Sequence, residues 1–231
     1  MYFVHTPAIW QDFPQLVPGF LVVHHLHPRV EAETHIQPWY HRARERLTQQ
    51  TESEMPEVVA WRRAYSQMGL KPTKYRSAAE ALLRRFKRED DLPRLHPLVD
   101  LCNAVSLAFA MPVAVFDIDR VDSFIEVRYA TGHEEYQAFS GDIEHPDPNE
   151  VIFADAANQV HARRWTFRQS RQSTITPETS RALIVSEGLH ETAVNDVSDL
   201  VAALQQNIAA LWSPPQQQAI LTAKNPRLDF E

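Results

Sequence analysis

The chain reads as an α+β protein with a mixed, mainly antiparallel sheet and flanking helices. Three features predict this. Capped, amphipathic helical segments fill the first half, period-two apolar segments follow, and one long helical pattern comes after them. Strands and helices do not alternate as successive βαβ units would. With 231 residues, 44% hydrophobic and 23% charged, the chain has enough apolar surface for a real core, which excludes a disordered tail protein. The expected organisation is one domain over residues 1–213, with 1–60 as an N-terminal extension packed on it and 214–231 as a trailing tail.

Each element has a local reason. Gly19 to Leu26 (GFLVVHHL) is a short buried strand bounded by Pro18 and Pro28. The Arg-rich stretch Trp39 to Thr51 is an exposed helix. Pro56 opens another, through Val58, Trp61 and Tyr65 to a stop at Gly69. Ser77 caps the next helix, with Glu80 as capping-box partner, and Ala79, Leu82, Leu83 and Phe86 form its apolar stripe. Pro97 opens a third, apolar helix ending near Pro112, in which Asp100 and Asn103 share a face and so need partners or a ligand. The period then becomes two. Val113 to Phe116 has the continuous apolar character of a central strand, and Phe124 to Tyr129 alternates. Thr131-Gly132-His133 can turn that strand into a hairpin with Glu135 to Phe139. Further strands are expected at Val151–Ala154, Gln159–Phe167 and Arg181–Glu187. Val194, Val197, Val201, Leu204, Ile208 and Leu211 then mark an amphipathic helix over Glu191–Trp212.

Composition excludes several chemistries. One cysteine, Cys102, leaves no disulfide framework and no Cys-rich zinc site. No apolar run approaches the ~20 residues of a membrane span, and Met1 to Trp10 lacks a signal-peptide pattern, so a cytoplasmic protein without a membrane partner is expected. Phosphate-loop, dinucleotide, nucleophile-elbow and HExxH motifs are all missing, and no cofactor or metal is expected. His24, His25 and His27 lack a carboxylate at ligand spacing and read as surface histidines. Asp117 and Asp119 could face a magnesium ion, but read more simply as a polar strand end.

Charge is distributed unevenly. Between Trp61 and Arg88 nine Lys and Arg side chains face the single acid Glu80, on a chain whose total is −7. A second run, Arg163-Arg164-Trp165-Thr166-Phe167-Arg168-Gln169-Ser170, interleaves arginine with aromatics. As a strand it would offer phosphate pairing and a stacking surface for an unpaired base, or else a core face backed by salt-bridged arginines. The acidic total argues against a chain coated in nucleic acid, and no DNA partner is expected. Glu187 ends the apolar run RALIVSE just before Gly188. A carboxylate there can hold an ammonium group, orient a water, or cap the following helix.

Five separated stretches, in order, carry a resemblance: YRSAAEALL from Tyr75, LPRLHPLVDLCNAV from Leu92, PVAVFDID from Pro112, RRWTFRQS from Arg163, and Thr179 to Gly188. Over about Trp61 to Gly188 the chain resembles the editing domain of the phenylalanyl-tRNA synthetase beta subunit, and most closely the freestanding proteins built from that domain. The resemblance implies an α+β fold with a cleft for the aminoacylated 3′ end of tRNA, and a trans-acting deacylase rather than a ligase. It implies that Glu187 and Asn103 act on the aminoacyl group. Arg163, Arg164 and Arg168 would meet phosphate, Trp165 would stack or line the pocket, and Lys74, Tyr75, Arg76 and Gln169 would bound the cleft. Two positions depart from the synthetase. Ala114 stands where it has a histidine, and its glutamate aligns with Val185, two residues before Glu187. The alternative is a non-catalytic module that binds tRNA or an amino-acid-like ligand.

Overall fold

The computed structural model describes residues 1–231 as two sheets and a helical layer. The strands are β1 (Tyr2–His5), β2 (Val17–Val23), β3 (Val113–Asp117), β4 (Phe124–Tyr129), β5 (Glu135–Gln137), β6 (Ile143–Glu144), β7 (Val151–Ala154), β8 (Gln159–Arg163), β9 (Arg168–Gln169), β10 (Ala182–Gly188), β11 (Gln217–Ile220) and β12 (Arg227–Asp229). The helices are α1 (Pro7–Asp12), α2 (Glu33–Gln49), α3 (Pro56–Gln67), α4 (Ala78–Glu89), α5 (Pro97–Phe109) and α6 (Ala193–Leu211). No helix is long and apolar enough to cross a membrane. The larger sheet runs β12-β1-β4-β7-β8-β5-β6, with β9 on β8, and the smaller runs β11-β2-β10-β3. Only β1–β4 and β5–β8 pair in parallel.

The smaller sheet is the middle layer. Leu21, Val23, Ala182 and Ile184 pack with α2, α5 and α6 in one core; Phe20, Val22, Leu183 and Val185 pack against Phe3, Ile125 and Phe153 of the larger sheet in another. Period-two alternation sends successive side chains to opposite faces. Glu187, two residues beyond Val185, is therefore delivered into the space between the sheets.

The helices match expectation closely, with instructive exceptions. The second helix starts at Glu33, six residues before Trp39, and carries Pro38 inside it. The Ser77 hydroxyl does accept from the Glu80 amide at 3.3 Å, but the Glu80 side chain turns to Arg62 instead of closing a capping box.

Among the strands, β3 is an edge strand and not a central one. Its open side is covered by Gln169 Nε2, which donates to the Val115 carbonyl at 2.6 Å, and by Ser173, whose carbonyl accepts from Asp117 N. No β4–β5 hairpin forms. Glu134, 1% exposed, accepts from the amides of Thr131 and Gly132 and pairs with Arg128, so the chain swings away and β5 joins β8. Nor does the tail trail: β11 adds to β2 and β12 to β1, giving each sheet an edge strand. Pro214-Pro215 marks a change of direction, and the short strands beyond it are too brief to announce themselves by periodicity.

Candidate functional site

The turn after β8 builds the site. A strand was expected over Gln159–Phe167, but it ends at Arg163, and Trp165 adopts φ 57°, a left-handed conformation costing about 1–3 kcal/mol for a bulky residue. Three bonds hold the turn: Trp165 N to the Val151 carbonyl, Ala78 N to the Thr166 carbonyl at 2.7 Å, and the Tyr65 hydroxyl to the Arg164 carbonyl at 3.3 Å. The Trp165 indole is fully buried, edge-on to Trp61 at 5.0 Å and Phe13 at 4.8 Å.

That indole meets Glu187. Trp165 Nε1 donates to Glu187 Oε2 at 3.0 Å and His5 Nε2 lies 2.7 Å from Oε1. His5 is completely buried and Glu187 is 2% exposed. Trp165 Nε1–H donates to the carboxyl group, His5 does so as its Nε2–H tautomer, and each oxygen keeps lone-pair capacity for a ligand. Glu187 does not cap α6. It lines a narrow cleft with Val113, Ala114, Phe153, Ala162 and Val185 as apolar walls, and Phe167, Arg168 and Gln169 line it too.

Beside the cleft stands an aromatic and cationic rim. Tyr75 meets Phe167 edge-to-face at 5.4 Å; the Arg164 guanidinium lies 4.4 Å over Tyr75 and that of Arg168 4.9 Å over Phe167. Lys74 Nζ sits 5.1 Å from the Tyr75 ring centre, within cation–π range. Burial pushes the neighbouring Tyr65 hydroxyl well above its usual range, so it remains a neutral donor.

The remaining expected residues are placed differently. Arg163, 4% exposed, does not face the cleft: Nε and Nη2 bind Glu150 at 2.7 and 2.9 Å and Nη1 binds Glu144 at 2.7 Å. Because the strand stops at Arg163, its side chain does not share a face with Trp165 and Phe167. Arg76 lies 3.3 Å from Glu80, which also holds Arg62 and Arg84, while Glu52 faces Arg84 and Lys87. Folding thus neutralises much of the basic run of residues 62–88. Asn103 lines a neighbouring cavity, and the two spaces meet at Val113 and Gln169, which line both. Asp100 accepts from Leu95 N at 2.9 Å and anchors the loop before α5; burial raises its pKa.

Two groups lay outside sequence reasoning. His5 comes from the far end of the chain with no motif around it. Asp155, His161 and Ser173 form a buried relay: His161 Nε2 meets Asp155 Oδ2 at 3.1 Å, and Nδ1 meets Ser173 Oγ at 2.9 Å. Ser173 and His161 are fully buried, so this Ser-His-Asp set pins the loop to β8 and presents no nucleophile. No group of three or more His, Cys, Asp or Glu is placed to hold a metal ion.

Residues 60–207, well over half the chain, match the family model described as the B3/4 domain. The chain belongs to the B3/4 domain family. This B3/4 chain is also 31% identical over 68 residues to the phenylalanine–tRNA ligase beta subunit of Legionella pneumophila (strain Lens), a stretch covering 29% of this chain and 9% of that protein. The B3/4 chain therefore spans under a tenth of that relative's length. An N-terminal fragment of the phenylalanyl-tRNA synthetase beta subunit from Pyrococcus horikoshii aligns with a TM-score of 0.43 and 11% identity over 87% of this chain and 48% of that one.

Proposed function

We propose that this B3/4 domain receives the 3′ end of an aminoacylated tRNA and hydrolyses the aminoacyl ester. One observation carries the reading: a buried carboxylate, Glu187, oriented by two ring N–H donors, stands in an apolar cleft beside a rim of arginine and aromatic side chains. Apolar walls suit an amino-acid side chain. An anionic floor suits its α-ammonium group or the attacking water. Arg164 is engaged by Glu150 and Asp147, so Lys74 and Arg168 are the rim cations that suit phosphate, and Tyr75 and Phe167 offer aromatic surface to an unpaired base.

An aminoacyl ester is already activated, so hydrolysis asks for positioning and a polarised water more than for a nucleophilic side chain. Water oxygen adds to the ester carbonyl while Glu187 orients it. The carbon–oxygen bond to the ribose then breaks as a proton from that water passes to the departing ribose oxygen, releasing the free amino acid and a ribose hydroxyl. His5 and Trp165 fix the carboxylate and are positioning residues.

A deacylation screen over a panel of charged tRNAs is the test, with Glu187→Gln as the control. Glutamine preserves the shape and can still accept from Trp165, while His5 changes tautomer to accept from the new amide. The rate on the preferred charged tRNA is expected to fall about 10²-fold or more. An unchanged rate in a folded variant removes Glu187 from the chemistry. The second reading, binding without hydrolysis, draws on Ala114 in the cleft wall and on the two donors already engaging Glu187. It predicts tRNA binding with no amino acid released from any member of the panel.

A further inference from the structure

The cavity next to the Glu187 cleft has its own chemistry. No Lys, Arg, Asp or Glu lines it. His96 forms one wall and is 4% exposed. As N-cap of α5, His96 accepts the Leu98 amide on Nδ1 at 3.2 Å, so the neutral ring carries its proton on Nε2. Burial lowers the His96 pKa and keeps that ring neutral. Nε2 is buried with no hydrogen-bond partner. Asn103, two turns further along α5, adds an amide. Gln169 is clamped by its Nε2 bond to Val115, so Oε1 is left to accept. Phe139, 63% exposed, and Leu95, 70% exposed, extend apolar surface at the rim, two of the five large hydrophobic residues left exposed on the molecule.

We propose that this cavity is a base pocket, which holds one unpaired nucleobase of the RNA whose aminoacyl end enters the Glu187 cleft. The proposal rests on the reading given under Proposed function. A lining without charge disfavours a phosphate, a carboxylate or an α-ammonium group, each of which would be desolvated here without a counter-charge. A flat heterocycle bearing both donors and acceptors matches an asparagine amide and a glutamine oxygen, and amide side chains are the usual partners of base edges. The exposed Phe139 ring supplies a stacking face. Val113 and Gln169 line both cavities, so one strand of RNA can occupy the two at once.

The probe is the single-stranded oligoribonucleotide 5′-ACCA-3′, labelled at its 5′ end, and four versions each abasic at one position, measured by fluorescence anisotropy. The wild-type chain is expected to bind the intact oligonucleotide at least about fivefold more tightly than one of the abasic versions, the loss of one stacked base. Phe139→Ala and Asn103→Leu should abolish that difference. Arg168→Ala should weaken intact and abasic versions alike. Phe139 is exposed, so its loss leaves the core intact, and urea melts verify the fold of each variant. Equal affinity for intact and abasic versions overturns the proposal, as does a base effect that survives both substitutions, or no binding of the oligonucleotide at millimolar protein. Hydrolysis without a base effect removes this pocket and leaves the deacylase reading standing. A base effect without hydrolysis does the reverse.

Discussion

Two arginines five residues apart show how far placement outranks residue type. Arg163 sits among Glu144 and Glu150 with 4% exposure, whereas Arg168 projects over the exposed side of Phe167. Arg163→Ala would leave Glu150 buried with Arg164, at 3.3 Å, as its remaining cation beside the Asp147 amide. Removing one member of a buried ion pair costs about 3–5 kcal/mol, so chemical denaturation should register a loss of that order. Arg168→Ala should leave the denaturation midpoint where it is and lower affinity for RNA, with a shallower dependence on salt because one phosphate contact is gone. If the two variants behaved alike in denaturation, the assignment of Arg163 to the ion cluster would be wrong. The Glu187–Trp165 bond makes a similar distinction. Trp165→Phe keeps most of the aromatic packing but removes one donor, so deacylation should slow while Glu187→Gln slows it further.

At the scale of elements, the seating of α6 on the middle sheet depends on two glycines. A Cβ added at Gly19 would lie 2.6 Å from Val197 Cγ1 and 2.7 Å from Val201 Cγ2; one at Gly188 would lie 2.9 Å from the Ala193 Cβ. β2 and β10 are neighbours in register, with Gly188 opposite Val17 and Glu187 opposite Pro18, so both close approaches sit at the end of the sheet where Glu187 is held. Gly19→Ala must push the helix outward or force its valines from their rotamers, a cost of about 1–3 kcal/mol by analogy with overpacked cores. Urea denaturation of the Gly19→Ala chain measures it. Retained stability would mean that α6 shifts freely. The turn holding Trp165 also belongs to this scale, because its left-handed backbone is held by bonds from α3, α4 and β7 together, and no one of these elements dictates it alone.

Over the whole molecule, buried carboxylates set the acid limit of stability. Burial raises the Glu134 pKa, but Arg128 and the Thr131 amide outweigh it and hold the group down to about 2. Asp155 is also depressed, its burial offset by His161 and by the amides of Gln159 and Asp122. A carboxylate whose folded pKa lies below its unfolded value of about 4 contributes stability that is fully present above that value and is lost as pH falls through the folded one. Denaturant midpoints should therefore hold from neutral pH to about 4.5 and decline steadily toward 2. In Glu134→Gln the baseline is lower and the decline flatter. A midpoint independent of pH between 4.5 and 2.5 would show that neither group is coupled to folding.

The sequence by itself determined the local elements and the family. Capping residues, prolines and periodicity place the four helices α3 to α6 and the strands β3, β4, β7 and β10, because these signals act within one turn of helix or a few residues of strand. It also determined that Glu187 shares a strand face with Val185, since alternation along a strand needs no tertiary information. Tertiary structure alone decided what that face looks into, which arginines remain free, and that His5, 182 positions away, orients the carboxylate. It also separated Asn103 from Glu187 into adjoining cavities and turned an expected tail into two edge strands. The reason is physical: hydrogen-bond and ion-pair partners are chosen by proximity in space, and a buried donor or carboxylate takes whichever complementary group the packing brings within about 3 Å.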